Sequence, residues 1–254
     1  MTLFDPPATS ARIKLVVAYD GSDFHGFARQ RDQRTIAGDL TAAIERVLRH
    51  DVDITCAGRT DAGVHAWGQV VSFDAPATVD LVRLQSSLNS MLNPAIVVRS
   101  AEIAAAGFDA RHDAQWRAYR YSIVNRAVAD PFRARSAWWV EHPLDLHRLR
   151  LAADVFVGEH DFASFCRRGP EGSTTVRTVL ESRWVDEGDG CLRYEIRAHA
   201  FCWQMVRSIV GTLVEAGLGR RKPGELTSTL AARDRARAGQ VAPAHGLCLW
   251  EVGY

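Results

Sequence analysis

Hydrophobic and polar positions follow two rhythms along the chain, and the changes of rhythm mark out its elements. Residues 13–19, IKLVVAY, are rich in β-branched side chains and end at Asp20-Gly21, a turn signal, so they predict a core strand. From Thr35, a good N-cap, Ile36, Leu40, Ile44, Val47 and Leu48 recur at helical spacing and predict an amphipathic helix despite Gly38. A loop containing GRTDAG follows. Gln69 to Phe73 reads as a strand, Leu81, Leu84, Leu88, Met91 and Leu92 as a helix capped by Asp80, and Ile96 to Val98 as a further strand. This order predicts an α+β module, one sheet covered by helices.

Beyond Phe108-Asp109-Ala110-Arg111 the pattern changes. In RAYRYSIVN, period-two alternation would put Arg117, Tyr119, Tyr121 and Ile123 on one face of a strand and Ala118, Arg120, Ser122 and Val124 on the other. Leu146, Leu149, Ala153 and Phe156 mark a helix capped by Asp145. Thr175 to Val185 and Leu192 to Ala200 flank DEGDG and predict a long hairpin. A helix from about Cys202 to Ala216, stopped by Gly217, a surface helix over 224–237 and a closing strand at Leu247 to Val252 complete the reading. Two α+β domains are expected, 1–108 and 109–254, each large enough to bury its own core.

Composition narrows the class. With 254 residues, 47% hydrophobic and 24% charged, the chain fits neither a disordered nor a fibrous protein. Its formal charge of +1 conceals a partition, 10 basic and 12 acidic side chains in 1–108 against 21 and 18 in 109–254. That balance argues against a nonspecific coat on DNA and leaves room for a shaped basic groove. All but Lys14 and Lys222 of the 31 basic residues are Arg, which suits phosphate forks and equally suits a GC-rich genome. The five cysteines, Cys56, Cys166, Cys191, Cys202 and Cys248, show no zinc spacing and fit a reducing cytoplasm. The chain has no run of 18 apolar residues and no secretory pattern at its start, so neither membrane spanning nor secretion is expected.

Three local signals carry chemistry. In Gly58-Arg59-Thr60-Asp61-Ala62-Gly63-Val64-His65, two glycines bracket an Arg and an Asp, so the backbone can approach a ligand while presenting a carboxylate. The same pattern fits a plain turn. His65, four residues on, would face Asp61 only if the segment were helical, and a lone His is commonly structural. The second signal is Arg207 in MVRSIVG. On a helical wheel it falls at the border of a stripe made by Met205, Val206, Ile209, Val210, Leu213 and Val214, with Gly211 one turn later on the same edge. Arg207 either snorkels to water or sits at the core rim, beside a small residue that leaves room, to pair with a catalytic carboxylate. The third is Tyr119 and Tyr121 among Arg117, Arg120 and Arg126, an interleaving that suits RNA through stacking and phosphate contact. It is equally a half-buried strand with solvated arginines. Arg133, Arg135, Arg167 and Arg168 could extend a basic surface.

These residues, in this order and spacing, closely resemble the TruA family of tRNA pseudouridine synthases. The resemblance covers almost the whole chain: Tyr19-Asp20-Gly21 with Phe24 and Gly26, CAGRTDAGVHA from Cys56 to Ala66, GQVVSF, LNSMLNP at 88–94, FDAR at 108–111, YRYSI at 119–123, HDFASF at 160–165, MVRSIVG at 205–211 and the Gly246-Leu247 strand. It implies the pseudouridine synthase fold: two α+β halves with mixed, mainly antiparallel sheets meeting around a central cleft. By the same resemblance Asp61 is the catalytic aspartate, Tyr119 lies against the target base and Arg207 is the aspartate's basic partner. Arg59 occupies space left by the flipped nucleotide. The family acts without a cofactor or metal, as a cytoplasmic homodimer, on uridines 38, 39 and 40 of the tRNA anticodon stem-loop. Departures from the family pattern fall at Phe27-Ala28 (usually Trp-Gln), His112-Asp113 (usually Phe-Ser) and Gln204 (commonly His).

The chemistry so implied exchanges a C1′–N1 bond for a C1′–C5 bond. Asp61 could attack C1′, attack C6 or assist departure of the base, and the sequence leaves these open. The nucleotide must leave the stem, and water must be kept from the detached base. Two other readings compete. One is a noncatalytic RNA-binding protein in which Asp61 is only a turn residue. The other is a metal-dependent hydrolase built on Asp61 and His65 with Asp23 and His25, which no familiar metal spacing supports.

Overall fold

The computed structural model describes residues 10–167, 169 and 172–254, which separate into two units, residues 10–114 with Tyr254 and Gln115–Gly253. Arg168, one of the arginines read as extending a basic surface, lies outside the described residues.

The first unit runs β1 (Ser10–Tyr19), α1 (Ile36–Leu48), β2 (Thr55–Cys56), β3 (His65–Pro76), α2 (Leu81–Leu92) and β4 (Ile96–Ile103). Strand β1 pairs antiparallel with both β3 and β4, Ile13 standing opposite Phe73 on one side and Ile103 on the other, and the short β2 joins β3. Alternate positions of β1, Ile13, Leu15 and Val17, are fully buried, as are Leu40 and Ile44 one turn apart on α1. The helix starts obey local chemistry. Thr35 Oγ1 accepts from the Gly38 N–H at 3.2 Å, and Asp80 Oδ1 accepts from the Arg83 N–H at 3.0 Å, each satisfying a donor that has no partner inside its helix. Strand β3 is longer than its 69–73 run suggests and begins at His65. His65 is therefore extended and not helical, and the i, i+4 pairing with Asp61 does not arise.

The second unit runs β5 (Trp116–Asn125), β6 (Trp138–Val140), α3 (Leu146–Asp154), β7 (Gly158–Asp161), β8 (Val176–Gly188), β9 (Cys191–Ala198), α4 (Met205–Gly217), α5 (Glu225–Ala232) and β10 (Leu247–Gly253). Within it the strand order is β10-β5-β9-β8-β7, all antiparallel, with β6 added parallel to the end of β5. The sheet is thus mixed and mainly antiparallel. The β8–β9 hairpin turns on Asp189 and Gly190, both at positive φ (50° and 66°), the backbone of a two-residue primed turn. The surface helix expected over 224–237 breaks early. Arg233 enters the left-handed region at φ 51°, and the Asp234 side chain accepts from the Ala236 N–H at 2.9 Å to start a separate 3-10 turn at Arg235–Arg237. No helix among the described residues is long and apolar enough to cross a membrane.

Helix α4 differs from its wheel. Met205, Val206, Ile209, Val210, Leu213 and Val214 are buried as expected, and so are Ser208, Gly211 and Thr212 on the side that should face water. A strap, residues 235–243, covers that side. Arg235 donates to Ser208 Oγ at 3.1 Å, the Gly239 N–H donates to Thr212 Oγ1 at 2.9 Å, and the Ala242 N–H donates to the Arg207 carbonyl at 3.0 Å. The polar face is therefore consumed by hydrogen bonds to the strap, as a buried polar face must be.

Candidate active site

The loop that carries Asp61 is gripped by the loop following β1. The Phe27 N–H donates to the Thr60 carbonyl at 3.0 Å and the Gly63 N–H to the Phe24 carbonyl at 3.3 Å, while the Asp61 loop closes its own turn through the Val64 N–H and the Asp61 carbonyl at 3.1 Å. Contact is close enough to require glycine at position 26. Its φ is +89°, and a Cβ there would stand 2.8 Å from the Thr60 oxygen. The gripping loop is itself fixed, because its carbonyls at Gly26 and Phe27 accept from the first N–H groups of α1, at 3.1 and 2.9 Å. So the sequence order turn, glycine, helix cap builds a rigid cradle around residues 60–64.

Within that cradle Asp61 is half-buried and Arg59 is exposed. His65 Nδ1 accepts from the Gly21 N–H at 3.1 Å, with Asp20 Oδ1 at the same distance from it, so the ring ties the two loops together and acts structurally. Phe27 is buried and packs 6.3 Å from the Tyr19 ring, so this departure from the usual Trp keeps an aromatic in the core. His112 and Asp113 likewise serve the backbone: Asp109 Oδ1 accepts from the Arg111 and His112 N–H groups, and Asp113 Oδ2 accepts from the Asp109 N–H, all at 2.8 Å. The Asp109 carboxyl loses some stabilisation of its charge to desolvation, but those N–H bonds outweigh it and hold the group below the usual carboxylate range.

Cys56, on β2 just before the loop, is pushed up to about 11 by burial, against the lowering fields of Arg59 and Arg111. At pH 8 only about one thiol in a thousand would be thiolate, so iodoacetamide should label Cys56 about 100-fold more slowly than an unstructured cysteine peptide. Peptide mass spectrometry of a timed labelling reaction checks this; labelling at the peptide's rate would mean that β2 opens freely.

Tyr119 and Arg207 belong to the second unit. Tyr119 sits in the middle of β5, between Leu249 of β10 and Ile196 of β9, buried with its ring edge-on to Phe201 at 5.0 Å. Arg207 is anchored to the strap twice: Nε donates to the Ala242 carbonyl at 2.8 Å, and its own carbonyl accepts from the Ala242 N–H. On the next carbonyl, Pro243, the Tyr121 hydroxyl donates at 2.8 Å. Burial drives the Tyr121 hydroxyl strongly upward in pKa while the nearby Arg207 guanidinium opposes the rise, so the tyrosine stays a neutral donor. Gly211 leaves room for the strap. Its Cβ position lies 1.6 Å from the Gln240 carbonyl oxygen.

The interleaved arginines of β5 divide. Arg120 points away from Tyr119, stacks 3.7 Å over Trp250 and pairs with Glu195 at 3.0 Å. Glu195 also holds Arg183 at 2.6 Å and Arg193 at 3.0 Å. Burial alone would raise this carboxyl, but Arg183, Arg193 and Arg120 overcome that and hold it below the usual range. Arg126 is bound to Asp189 at the hairpin turn, its Nε donating to the Asp189 carbonyl at 2.7 Å. Arg120 and Arg126 therefore serve the fold. Arg117 donates to the His199 carbonyl at 3.0 Å, Arg133 lies 3.8 Å from Asp130, and Arg135 is exposed. Arg167, also exposed, stacks 4.1 Å from the half-exposed Trp203, just before α4. Gln204, at left-handed φ 63°, turns the chain into that helix without a side-chain cap.

Pattern reading passed over Gln69. It is fully buried, and its amide bonds the backbone of Gly58, three residues before Asp61. The available signal was a polar residue opening a run, Gln69 to Phe73, that is buried on both faces. Such a residue must find internal partners. Among the described residues no three His, Cys, Asp or Glu side chains come together as a metal cage would need.

The family profile described as tRNA pseudouridine synthase matches residues 15–113 and 152–254. A tRNA pseudouridine synthase A from Brevibacillus brevis is 47% identical over 243 residues, 96% of this chain and 99% of that protein. Those from Bacillus subtilis and Leifsonia xyli subsp. xyli are each 41% identical over 96% of this chain, covering 99% and 92% of theirs. Among solved structures, an archaeal box H/ACA sRNP Nop10-Cbf5 complex overlaps 80% of this chain and 44% of that one at a TM-score of 0.36 and 10% identity, too distant a likeness to bear on the reading. With nearly the full chain matched at this identity, the protein belongs to the tRNA pseudouridine synthases and is an isomerase of that family.

Proposed function

We propose that this enzyme isomerises uridines 38, 39 and 40 of the tRNA anticodon stem-loop to pseudouridine, with Asp61 as the reacting carboxylate. The observation that carries the reading is the cradle: an Asp on a loop held by two backbone hydrogen bonds from its neighbour, a turn of its own and one obligatory glycine presents its side chain from a fixed base. Preorganisation of this kind is what a reacting group needs. In the reaction the C1′–N1 bond breaks, the base turns, a C1′–C5 bond forms, and the C5 proton is lost as N1 gains one. Asp61 acts as nucleophile or charge stabiliser at C1′ or C6. Tyr119 supplies a ring face to the base, Arg207 is the basic partner of the carboxylate, and Arg59 fills the space of the flipped nucleotide. The first domain, 1–108, contributes the Asp loop and the second, 109–254, the Tyr and the Arg. No cofactor enters this scheme. The same reading makes the enzyme a cytoplasmic homodimer holding tRNA across both subunits.

The test is to incubate unmodified tRNAs carrying uridine at each position with the enzyme, treat them with carbodiimide and map stops by primer extension. Stops are expected at 38, 39 and 40. Modification confined to other positions would replace the substrate assignment, and none at all with tRNA bound would leave a noncatalytic RNA-binding protein.

A further inference from the structure

Three buried polar side chains of the first unit form a continuous chain that ends next to Asp61. Gln69, on β3, is 0% exposed, Tyr19, at the end of β1, is 5% exposed, and Thr60 is 7% exposed. The Gln69 amide meets Gly58 as a strand would: Nε2 donates to the Gly58 carbonyl at 2.6 Å, and Oε1 accepts from the Gly58 N–H at 3.3 Å. The second hydrogen of Nε2 goes to the Tyr19 hydroxyl at 3.3 Å, and that hydroxyl lies 2.8 Å from Thr60 Oγ1. Residues 58 and 60 are thereby tied to two different strands, while the Thr60 carbonyl is held from a third direction by Phe27.

Apolar residues of the same size would hold a loop here at lower desolvation cost, since a buried amide and two hydroxyls are tolerated only when fully bonded. What they would not supply is direction. Hydrogen bonds fix the loop's orientation as well as its position, and the first side chain beyond Thr60 is Asp61.

We propose that Gln69, Tyr19 and Thr60 are positioning residues that aim the Asp61 carboxylate through the backbone of residues 58–60. This rests on Asp61 being the reacting group. A misplacement of about 1 Å can cost on the order of 10²-fold in rate, so the signature is a loss of kcat with tRNA affinity retained.

The test is steady-state tritium release from tRNA labelled at uridine C5 over a range of tRNA concentrations, with melting curves confirming each variant folded. Tyr19→Phe removes the hydroxyl that meets both Thr60 and Gln69, and Thr60→Val removes the other side of the Tyr19–Thr60 contact; each should lower kcat about tenfold or more, with KM within about twofold. The double variant should lose little more than Tyr19→Phe alone, because the contact the two share is broken only once. Thr60→Ser should restore most of the rate that Thr60→Val loses. Gln69→Met should cost about 10²-fold, and if it fails to fold the other variants decide. Folded variants with wild-type kcat, a KM effect alone, or losses that multiply in the double variant would each overturn the proposal. Asp61→Ala run alongside separates the two readings: if it stays active, the role of Asp61 is wrong, and if only it is inactive, the positioning chain is wrong.

Discussion

Asp61→Ala should lower pseudouridine formation by about 10⁴-fold or more, the scale at which removal of a reacting group is felt. The loop should keep its shape, because the backbone bonds that form it, at Thr60, Asp61 and Gly63, do not use the carboxylate. Asp61→Asn, which keeps the shape and removes the charge, should be equally inactive. The measurement is tritium release from C5-labelled tRNA with filter binding matched to wild type and EDTA present throughout. A variant keeping more than a tenth of the rate would sink the assignment, and a wild-type enzyme silenced by EDTA would revive the metal-dependent reading.

Gly211→Ala is the second large effect, and its sign opposes the usual rule. In an exposed helix the change would gain about 1 kcal/mol from propensity. Here the added methyl would sit 1.6 Å from the Gln240 carbonyl oxygen and 3.2 Å from the Ala242 nitrogen, which are backbone atoms that cannot rotate aside. Either α4 or the strap must move. Overpacking of this severity should cost on the order of 3 kcal/mol. It also pushes on the residue that receives Arg207 Nε, so activity should fall further than the folded fraction does. Urea melts beside turnover measured per folded molecule check both parts. A variant as stable as wild type would show that the strap docks loosely.

The elements with one buried stripe were legible from pattern alone. Helices α1 and α2 begin at the predicted Thr35 and Asp80 caps, and β5 shows the predicted faces, Tyr119, Tyr121 and Ile123 inward and Arg120 outward. What failed to show were short or doubly covered pieces. Strands β2, β6 and β7 have two to four residues, too few for a period to register. Helix α4 looked amphipathic because the strap that buries its polar side lies some 30 residues later in the chain, beyond the reach of any local pattern. In the candidate site, Asp61 and Arg59 stood out through their flanking glycines. Gln69 did not, because a buried amide announces itself only through partners brought from elsewhere in the unit.

Glu195 and its three arginines bear on how this enzyme would meet a polyanion. A phosphate neutralised by an unpaired arginine sheds the cations condensed around it, and their release supplies the entropy that drives binding. Arg120, Arg183 and Arg193 are already neutralised in part by a carboxylate of their own chain, as Arg126 is by Asp189. Such groups offer a phosphate little net charge and have an internal partner to lose. The thermodynamic valence of the surface toward nucleic acid is therefore smaller than its arginine content, and the exposed Arg59 counts toward it more fully than they do.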